Sequence, residues 1–324
     1  MKNKYTSRRN FLKTASMAIP SFSLAGKPIH FKICNLMEKD KEFDVIIVGG
    51  SYAGMSAAMA LGRSLRSVLI IDSGKPCNRQ TPHAHNIITQ DGRTPKAISE
   101  AAKKQTLAYP TVAFASDLVT GVSRNERGFS VNTQSTQGIQ ARKILFATGV
   151  RDIMPDIKGF AECWGISILH CPYCHGYEVA RQHLGILANG EVAFELCKLI
   201  QHWADKLTLF TNGKVALDAE QIRMIEKLDI EIVEKDIAEL EQEAGQLKKV
   251  VFMDKSEYKV DAIFSRVAFE QHCKLPEELG CRQNEQGYIE VDIVEQPRIC
   301  EKVGSYIFGV TTLHPYASPQ PQQC

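Results

Sequence analysis

Short apolar runs alternate with longer, partly apolar stretches along most of this chain. Phe43-Asp44-Val45-Ile46-Ile47-Val48 is the near-continuous apolar run that a strand buried on both faces requires. A glycine-rich stretch follows, and Met55-Ser56-Ala57-Ala58-Met59-Ala60-Leu61 then begins an apolar helix. Ser67-Val68-Leu69-Ile70-Ile71 predicts the next strand, closing on Asp72. The rhythm returns downstream, where Gln140 to Thr148 predicts a strand and Val150 to Leu169 a crossover. His183 to Ala188 then predicts a strand, Glu191 to Ala204 a helix, and Lys206 to Phe210 a further strand. Strands that alternate with helices pair in parallel, so the chain is α/β with two βαβ units. Asp218 to Leu228 and the charged Glu234 to Glu243 predict solvated outer layers, and Trp164 and Trp203 predict packing positions.

The segment after the first strand carries chemistry. Gly49-Gly50-Ser51-Tyr52-Ala53-Gly54 has the strand, tight turn and helix order that binds a dinucleotide. Gly49 permits the sharp turn and Gly54 lets helix and strand pack closely. The helix N-terminus offers unpaired N–H groups to a pyrophosphate. Ser51 stands where the fingerprint has its middle glycine, and Gly50 and Ala53 complete the turn. Asp72 ends the second strand, where an acid accepts hydrogen bonds from a ribose. In the second βαβ unit, Ala188-Asn189-Gly190-Glu191-Val192-Ala193 keeps only Gly190 of the two glycines that open this turn.

A second signal lies between the two units, at Cys171-Pro172-Tyr173-Cys174-His175. Two thiols at this spacing close a small strained ring and shuttle between dithiol and disulfide, and His175 can take or return the proton. The competing reading is half of a zinc site, which needs a second close pair. The other cysteines, at 34, 77, 163, 197, 273, 281, 300 and 324, are scattered and supply none. Glu178 reads as a dipole partner at a helix start, with a second reading as the group that orients His175. His83 and His85 alternate as in an extended loop; a metal site there lacks further ligands, and a place for His85 beside the active-site cleft is the other reading.

With these motifs and Ala147-Thr148-Gly149 after an apolar strand, the chain resembles the low-molecular-weight thioredoxin reductases. These sit among the FAD-dependent pyridine nucleotide-disulfide oxidoreductases, and the resemblance runs from about Phe43 to about Gly309. It implies two Rossmann-like dinucleotide-binding domains, the NAD(P)-type domain inserted into the FAD domain. Residues 42–158 would form the first FAD-binding segment, 159–283 the NAD(P)-type domain carrying the cysteines, and 284–324 the return segment. By the same resemblance, Gly49, Gly50, Ser51, Ala53, Gly54, Asp72, Ala147, Thr148, Gly149 and Gly309 hold FAD, and Gly190 serves a nicotinamide nucleotide. Cys174 would lie nearest the flavin, Cys171 would form the mixed disulfide with substrate, and His175 would handle protons. The partner implied is a thioredoxin-like protein or a small disulfide or dithiol, with a homodimer as the assembly.

The departures bear on direction. Phe210-Thr211-Asn212-Gly213 lacks the basic cluster with which NADPH-specific relatives fork onto a 2′-phosphate. His175 replaces the acid that usually follows the second cysteine, as in a subgroup similar to FAD-dependent dithiol oxidases. Three readings stand: a disulfide reductase fed by NAD(P)H, a dithiol oxidase that passes electrons to oxygen, and a non-catalytic relative that does not retain FAD.

Both ends of the chain change the picture. Ser7-Arg8-Arg9-Asn10-Phe11-Leu12-Lys13, an uncharged stretch to Ala25 and the small-x-small ending Ser23-Leu24-Ala25 resemble a twin-arginine export leader. Residues 1–41 are read as leader and linker, with a periplasmic destination favoured over a cytoplasmic one. The apolar run is too short and too rich in Ser, Thr and Pro to span a bilayer. At the other end, Tyr288 to Asp292 and Gly304 to Gly309 match the family's last strands. Val310 stands where the family has an aspartate, and a tail with prolines at 315, 319 and 321 replaces the final helix. One adenine inserted after the first base of the Val310 codon would restore Gly-Asp. The net charge of +2 among 324 residues, 44% hydrophobic and 23% charged, gives no basic stripe for a nucleic acid.

Overall fold

The computed structural model describes residues 42–290 and the backbone of Ile307–Gly309. The export-leader residues and the tail from Val310 onward lie outside the described residues.

The first domain opens with β1 (Glu42–Val48), followed by α1 (Tyr52–Arg63), β2 (Val68–Asp72), α2 (Pro95–Thr106) and β3 (Val112–Ser116). An antiparallel excursion follows, β4 (Val119–Asn125) and β5 (Gly128–Thr133), before β6 (Ile139–Phe146) returns beside β1. The order is β3-β2-β1-β6-β5-β4, with β1 parallel to both β2 and β6. Ile46 and Ile47 are fully buried because both faces of β1 are covered, which explains the near-continuous apolar run. The helix α1 buries Met55 together with Gly54, Ala58 and Gly62, small residues at helical spacing that bring the helix close. Thr94 caps α2 by accepting the Ala97 N–H at 3.2 Å, and Pro95 occupies the first helical position, where no N–H is needed.

The crossover contains β7 (Val150–Ile153), the one-turn helix α3 (Phe160–Cys163) and the two-residue β8 (Ile168–Leu169). Another single turn, α4 (Pro172–His175), carries the cysteines. The second unit follows as β9 (His183–Leu187), α5 (Gly190–Ile200), β10 (Lys206–Phe210), α6 (Ala219–Lys227) and β11 (Glu231–Val233). A meander of β12 (Ile237–Glu243), β13 (Gln246–Phe252) and β14 (Glu257–Tyr258) precedes β15 (Ala262–Ser265). The second parallel sheet runs β11-β10-β9-β15-β8. β16 (Ala268–Gln271) then pairs antiparallel with β7, so the outgoing and returning connections lie side by side, and α7 (Leu275–Glu278) follows. Finally β17 (Ile307–Gly309) adds to the first sheet parallel to β6. The chain thus leaves the first sheet, builds a second and returns, which is the inserted-domain order.

Three expectations need correction. The helix expected to run from Glu191 to Ala204 spans Gly190–Ile200 and gives way to a turn closed by the Trp203 N–H on the Ile200 carbonyl. The charged stretch Glu234 to Glu243 is largely a strand whose Ile237 and Leu240 are buried beside Phe160 and Val250. Bulges between Ile237 and Glu239 and between Glu241 and Gln242 break the two-residue alternation that would have revealed it. Tyr288 to Glu290, expected in a strand, makes only the isolated bridge of Ile289 with Gln283. The expected strands from Phe43 to Phe210 keep their places within two residues at each end, and the last, expected from Gly304, is described over Ile307–Gly309.

Candidate active site

The first turn is built by steric necessity. Gly49 has φ +103°, and a Cβ there would stand 2.3 Å from the Ala147 carbonyl oxygen. A Cβ on Gly54 would meet the Gly49 carbonyl at 1.9 Å. The Ala147 N–H donates to the Val48 carbonyl at 2.8 Å, so the Ala147-Thr148-Gly149 segment lies against the turn. Gly149 has φ +67°, and Gly309 pairs with Phe146 at the end of β17. Gly49, Ala147 and Gly309 therefore gather at the carboxyl edge of adjacent parallel strands, where open α/β sheets bind ligands. Ser51 caps α1, is exposed and makes no side-chain cap bond, leaving the first-turn N–H groups to a ligand. Ala53 packs against the domain core.

Asp72 is also engaged within the chain. Its Oδ2 accepts the Gly50 N–H at 2.6 Å and its Oδ1 accepts the Gly74 N–H at 2.8 Å. The carboxylate tethers the turn to β2, with lone pairs left for a ribose.

The redox pair sits where β8 runs into α4. Cys171 is the N-cap residue, and its carbonyl accepts from Cys174 and His175 N–H, each at 3.2 Å. Cys171 is 1% exposed and Cys174 half-buried. The Cys174 thiol is pushed far up by its hydrogen bond with Cys171, by burial, and by the charges of Cys171 and Glu178. Burial pushes the His175 imidazole down; Glu178 opposes this and His85 adds to it. Gly176 lets the turn close, since a Cβ there would meet the Pro172 carbonyl at 2.4 Å and Trp203 Nε1 at 2.8 Å. Tyr173 packs edge-on against Trp203 with ring centroids 5.7 Å apart.

A loop of the first domain reaches this pair. His85 Nε2 lies 3.4 Å from Glu178 Oε1, and His85 Nδ1 lies 3.7 Å from Asp91 Oδ2. His85 thus borders the cysteine site, and no metal-holding group of His, Cys, Asp or Glu occurs among the described residues. Glu178 is not at a helix start: it follows the single turn of α4, faces His85, and its charge raises the His175 imidazole.

The second turn is occupied by the chain itself. Gly190 has φ +61°, and the side chain of Asn189 fills the space in front of α5. Asn189 Oδ1 accepts the Gly190 N–H at 2.9 Å and the Ala216 N–H at 2.8 Å. Its Nδ2 donates to the Thr211 carbonyl at 3.2 Å and the Lys214 carbonyl at 2.9 Å. Glu234 Oε2 accepts the Val215 N–H at 2.7 Å from the other side. Asn189 thus ties the loop after β10 to the first N–H of α5, a donor that a pyrophosphate would use.

The sequence model for pyridine nucleotide-disulphide oxidoreductases matches residues 43–299. The chain belongs to this family. Thioredoxin reductase aclD of Aspergillus oryzae is 36% identical over 57% of this chain and 62% of its own length. The thioredoxin reductase of Bacillus subtilis is 26% identical over 79% of this chain and 83% of its own. The chain spans about three fifths of the length of the first curated relatives that it matches. Among solved structures, an oxidoreductase from Agrobacterium tumefaciens superposes with a TM-score of 0.75 at 32% identity, covering 82% of this chain and 89% of that one.

The family binds FAD. The first turn suits that cofactor: a glycine cradle that any Cβ would fill, an open helix N-terminus and an acid at the end of β2. Trp203, the floor under Gly176, and Asp91, behind His85, belong to the site although the sequence reading gave the first only a packing role and the second none. Aromatic residues next to a short glycine turn carry no sequence signature, and Asp91 is one acid among many.

Proposed function

We propose that this chain is a flavin-dependent, thioredoxin reductase-like thiol–disulfide oxidoreductase in which Cys171 and Cys174 exchange with a thiol or disulfide substrate. The observation that carries it is the pairing of two cysteines on one turn with a half-buried imidazole, bordered by a loop of the cofactor domain. Residues 42–158 and 284–324 serve as the FAD domain and 159–283 as the inserted one. A thioredoxin-like protein or a small dithiol or disulfide is the partner, and a homodimer the assembly.

The chain's own residues account for the exchange. His175, kept neutral by burial, accepts the proton of an incoming substrate thiol. The thiolate attacks one sulfur of the Cys171–Cys174 disulfide, one S–S bond forms as the other breaks, and the departing cysteine thiolate receives the proton from His175. A second thiol resolves the mixed disulfide in the same way, leaving an oxidised substrate and two protein thiols. Bound FAD would supply the two-electron exchange that resets the pair. The family resemblance assigns Cys174 to that cofactor and Cys171, the more buried of the two, to substrate.

The Asn189 lacing favours the oxidase direction as a second reading, with a dithiol and oxygen giving a disulfide and hydrogen peroxide. Anaerobic addition of NADH, NADPH and then a small dithiol to the yellow protein separates these readings. Bleaching by a nicotinamide identifies a reductase, and bleaching by dithiol alone an oxidase. A colourless purified protein would instead favour the non-catalytic reading.

Export by the leader is proposed on its residues alone. Replacing Arg8 and Arg9 by lysine is expected to hold the protein in the cytoplasmic fraction; unchanged fractionation would refute the export route.

A further inference from the structure

A lysine stands beside the first turn with its charge unanswered. Lys103 lies near the end of α2, and its Nζ rests 3.3 Å above the centroid of the Phe114 ring on β3, where the negative face of the ring holds an ammonium. That ring borders the turn. A Cβ on Gly50 would stand 2.9 Å from Phe114 Cε2 and 2.9 Å from Asp72 Cβ. Asp72 is bound to the same glycine through the Gly50 N–H at 2.6 Å. In the parallel pairing of β2 with β3, Phe114 lies opposite Ile70 and Ser116 opposite Asp72, so ring and acid are on one face of the sheet. One ring thus joins the Lys103 amine to the Gly50–Asp72 pair.

Lys103 is half-buried. Among the described residues no carboxylate lies within ion-pairing distance of its amine and no acceptor takes its N–H groups. A cation that has given up part of its water without finding an acceptor costs free energy, and a ligand that supplies one removes the cost. Burial pushes the amine down and the charge of Asp72 opposes this, so the two charges act on each other beside the ring.

We propose that Lys103 is a specificity-determining residue of the first turn, forming with Asp72 a donor–acceptor pair for a hydroxyl of the adenosine ribose of FAD. A hydroxyl both gives and accepts a hydrogen bond. An ionised Asp72 can only accept, and takes the hydroxyl proton; an ammonium can only donate, and fills a lone pair of the same oxygen. A phosphate in place of that hydroxyl is repelled by Asp72, so the pair selects an unmodified ribose. The inference rests on reading the first turn as the flavin site and is independent of the cysteine chemistry. It adds a group from α2 that lies outside the strand–turn–helix fingerprint.

The test uses the full-length yellow protein and reads flavin release, which needs no turnover. FAD that passes an ultrafiltration membrane is measured by its fluorescence, alone and with ADP, 2′-deoxy-ADP or 3′-deoxy-ADP as competitor. Lys103→Met keeps an unbranched stem on Phe114 without the charge, and is expected to weaken FAD retention about tenfold. Lys103→Arg keeps a cation on the ring and is expected to hold most of the wild-type retention. In the wild type, ADP should displace FAD better than one of its deoxy forms, and that preference should vanish in Lys103→Met. Unchanged retention in Lys103→Met overturns the proposal, and so does a deoxy preference that survives the substitution, which is what a merely structural role would leave. If Lys103→Met does not fold, Lys103→Gln carries the same two comparisons. A wild type that retains no FAD when FAD is supplied, or from which ADP displaces none, overturns the proposal together with the flavin reading of the turn. A protein that holds FAD and is inert to dithiols sinks the thiol–disulfide reading alone.

Discussion

The Gly50 N–H donates to Asp72 Oδ2 at 2.6 Å, tying the dinucleotide turn to the end of the neighbouring strand. Asp72→Ala releases this donor and the Gly74 N–H together. We expect a loss of about 1–3 kcal/mol, in line with an unsatisfied partly buried group, and a lower flavin-to-protein absorbance ratio. A variant that kept full flavin occupancy and wild-type Tm would show that the tether is incidental.

Gly49→Ala should be worse. The backbone at φ +103° alone costs about 1–3 kcal/mol for a residue with a side chain, and the new methyl collides with the Ala147 carbonyl. The turn must shift, so the protein is expected to purify colourless with a reduced Tm. Retention of flavin would place the cofactor elsewhere.

Asn189→Gly removes all four bonds that lace the loop after β10. The loop should loosen and expose Lys214 to trypsin, and limited proteolysis reports this directly. Flavin bleaching by NADH or NADPH is expected to be weak in the parent and stronger in the variant. Strong bleaching in the parent would mean that the lacing opens readily.

Stability should fall on acidification from about pH 8 to about pH 5.5. His175 and His183 are both pushed below the ordinary histidine value of 6.5, principally by burial, so each is neutral in the fold. The unfolded chain binds protons first as pH drops through 6.5, and the stability these groups hold above that pH is lost between 6.5 and their lowered values. Tm against pH should therefore slope downward toward acid, and less steeply in His175→Gln. An equal slope in the variant would remove His175 as a contributor.

Much of this molecule was legible in advance because its signals are local. The apolar run Phe43 to Val48, the glycines of the turn and the spacing of Cys171 and Cys174 constrain neighbouring residues, and each behaves in the fold as backbone sterics and strand burial require. The strand β12 was hidden because bulges displace its buried Ile237 and Leu240 from a two-residue period, and three glutamates lie among them. Glu178 was misjudged for a related reason: the helix before it ends after one turn, closed by a Gly176 that packs on Trp203.

The sequence by itself determined the α/β order of elements, the dinucleotide turn and the dithiol, since these depend on residues within one strand–turn–helix unit. Only the tertiary structure decided that Asn189 would lace the second turn to Ala216, and that His85 would meet Glu178 across the domain junction. Such contacts are set by the register of two sheets and the path of the loops between them, and no short stretch of chain encodes that sum.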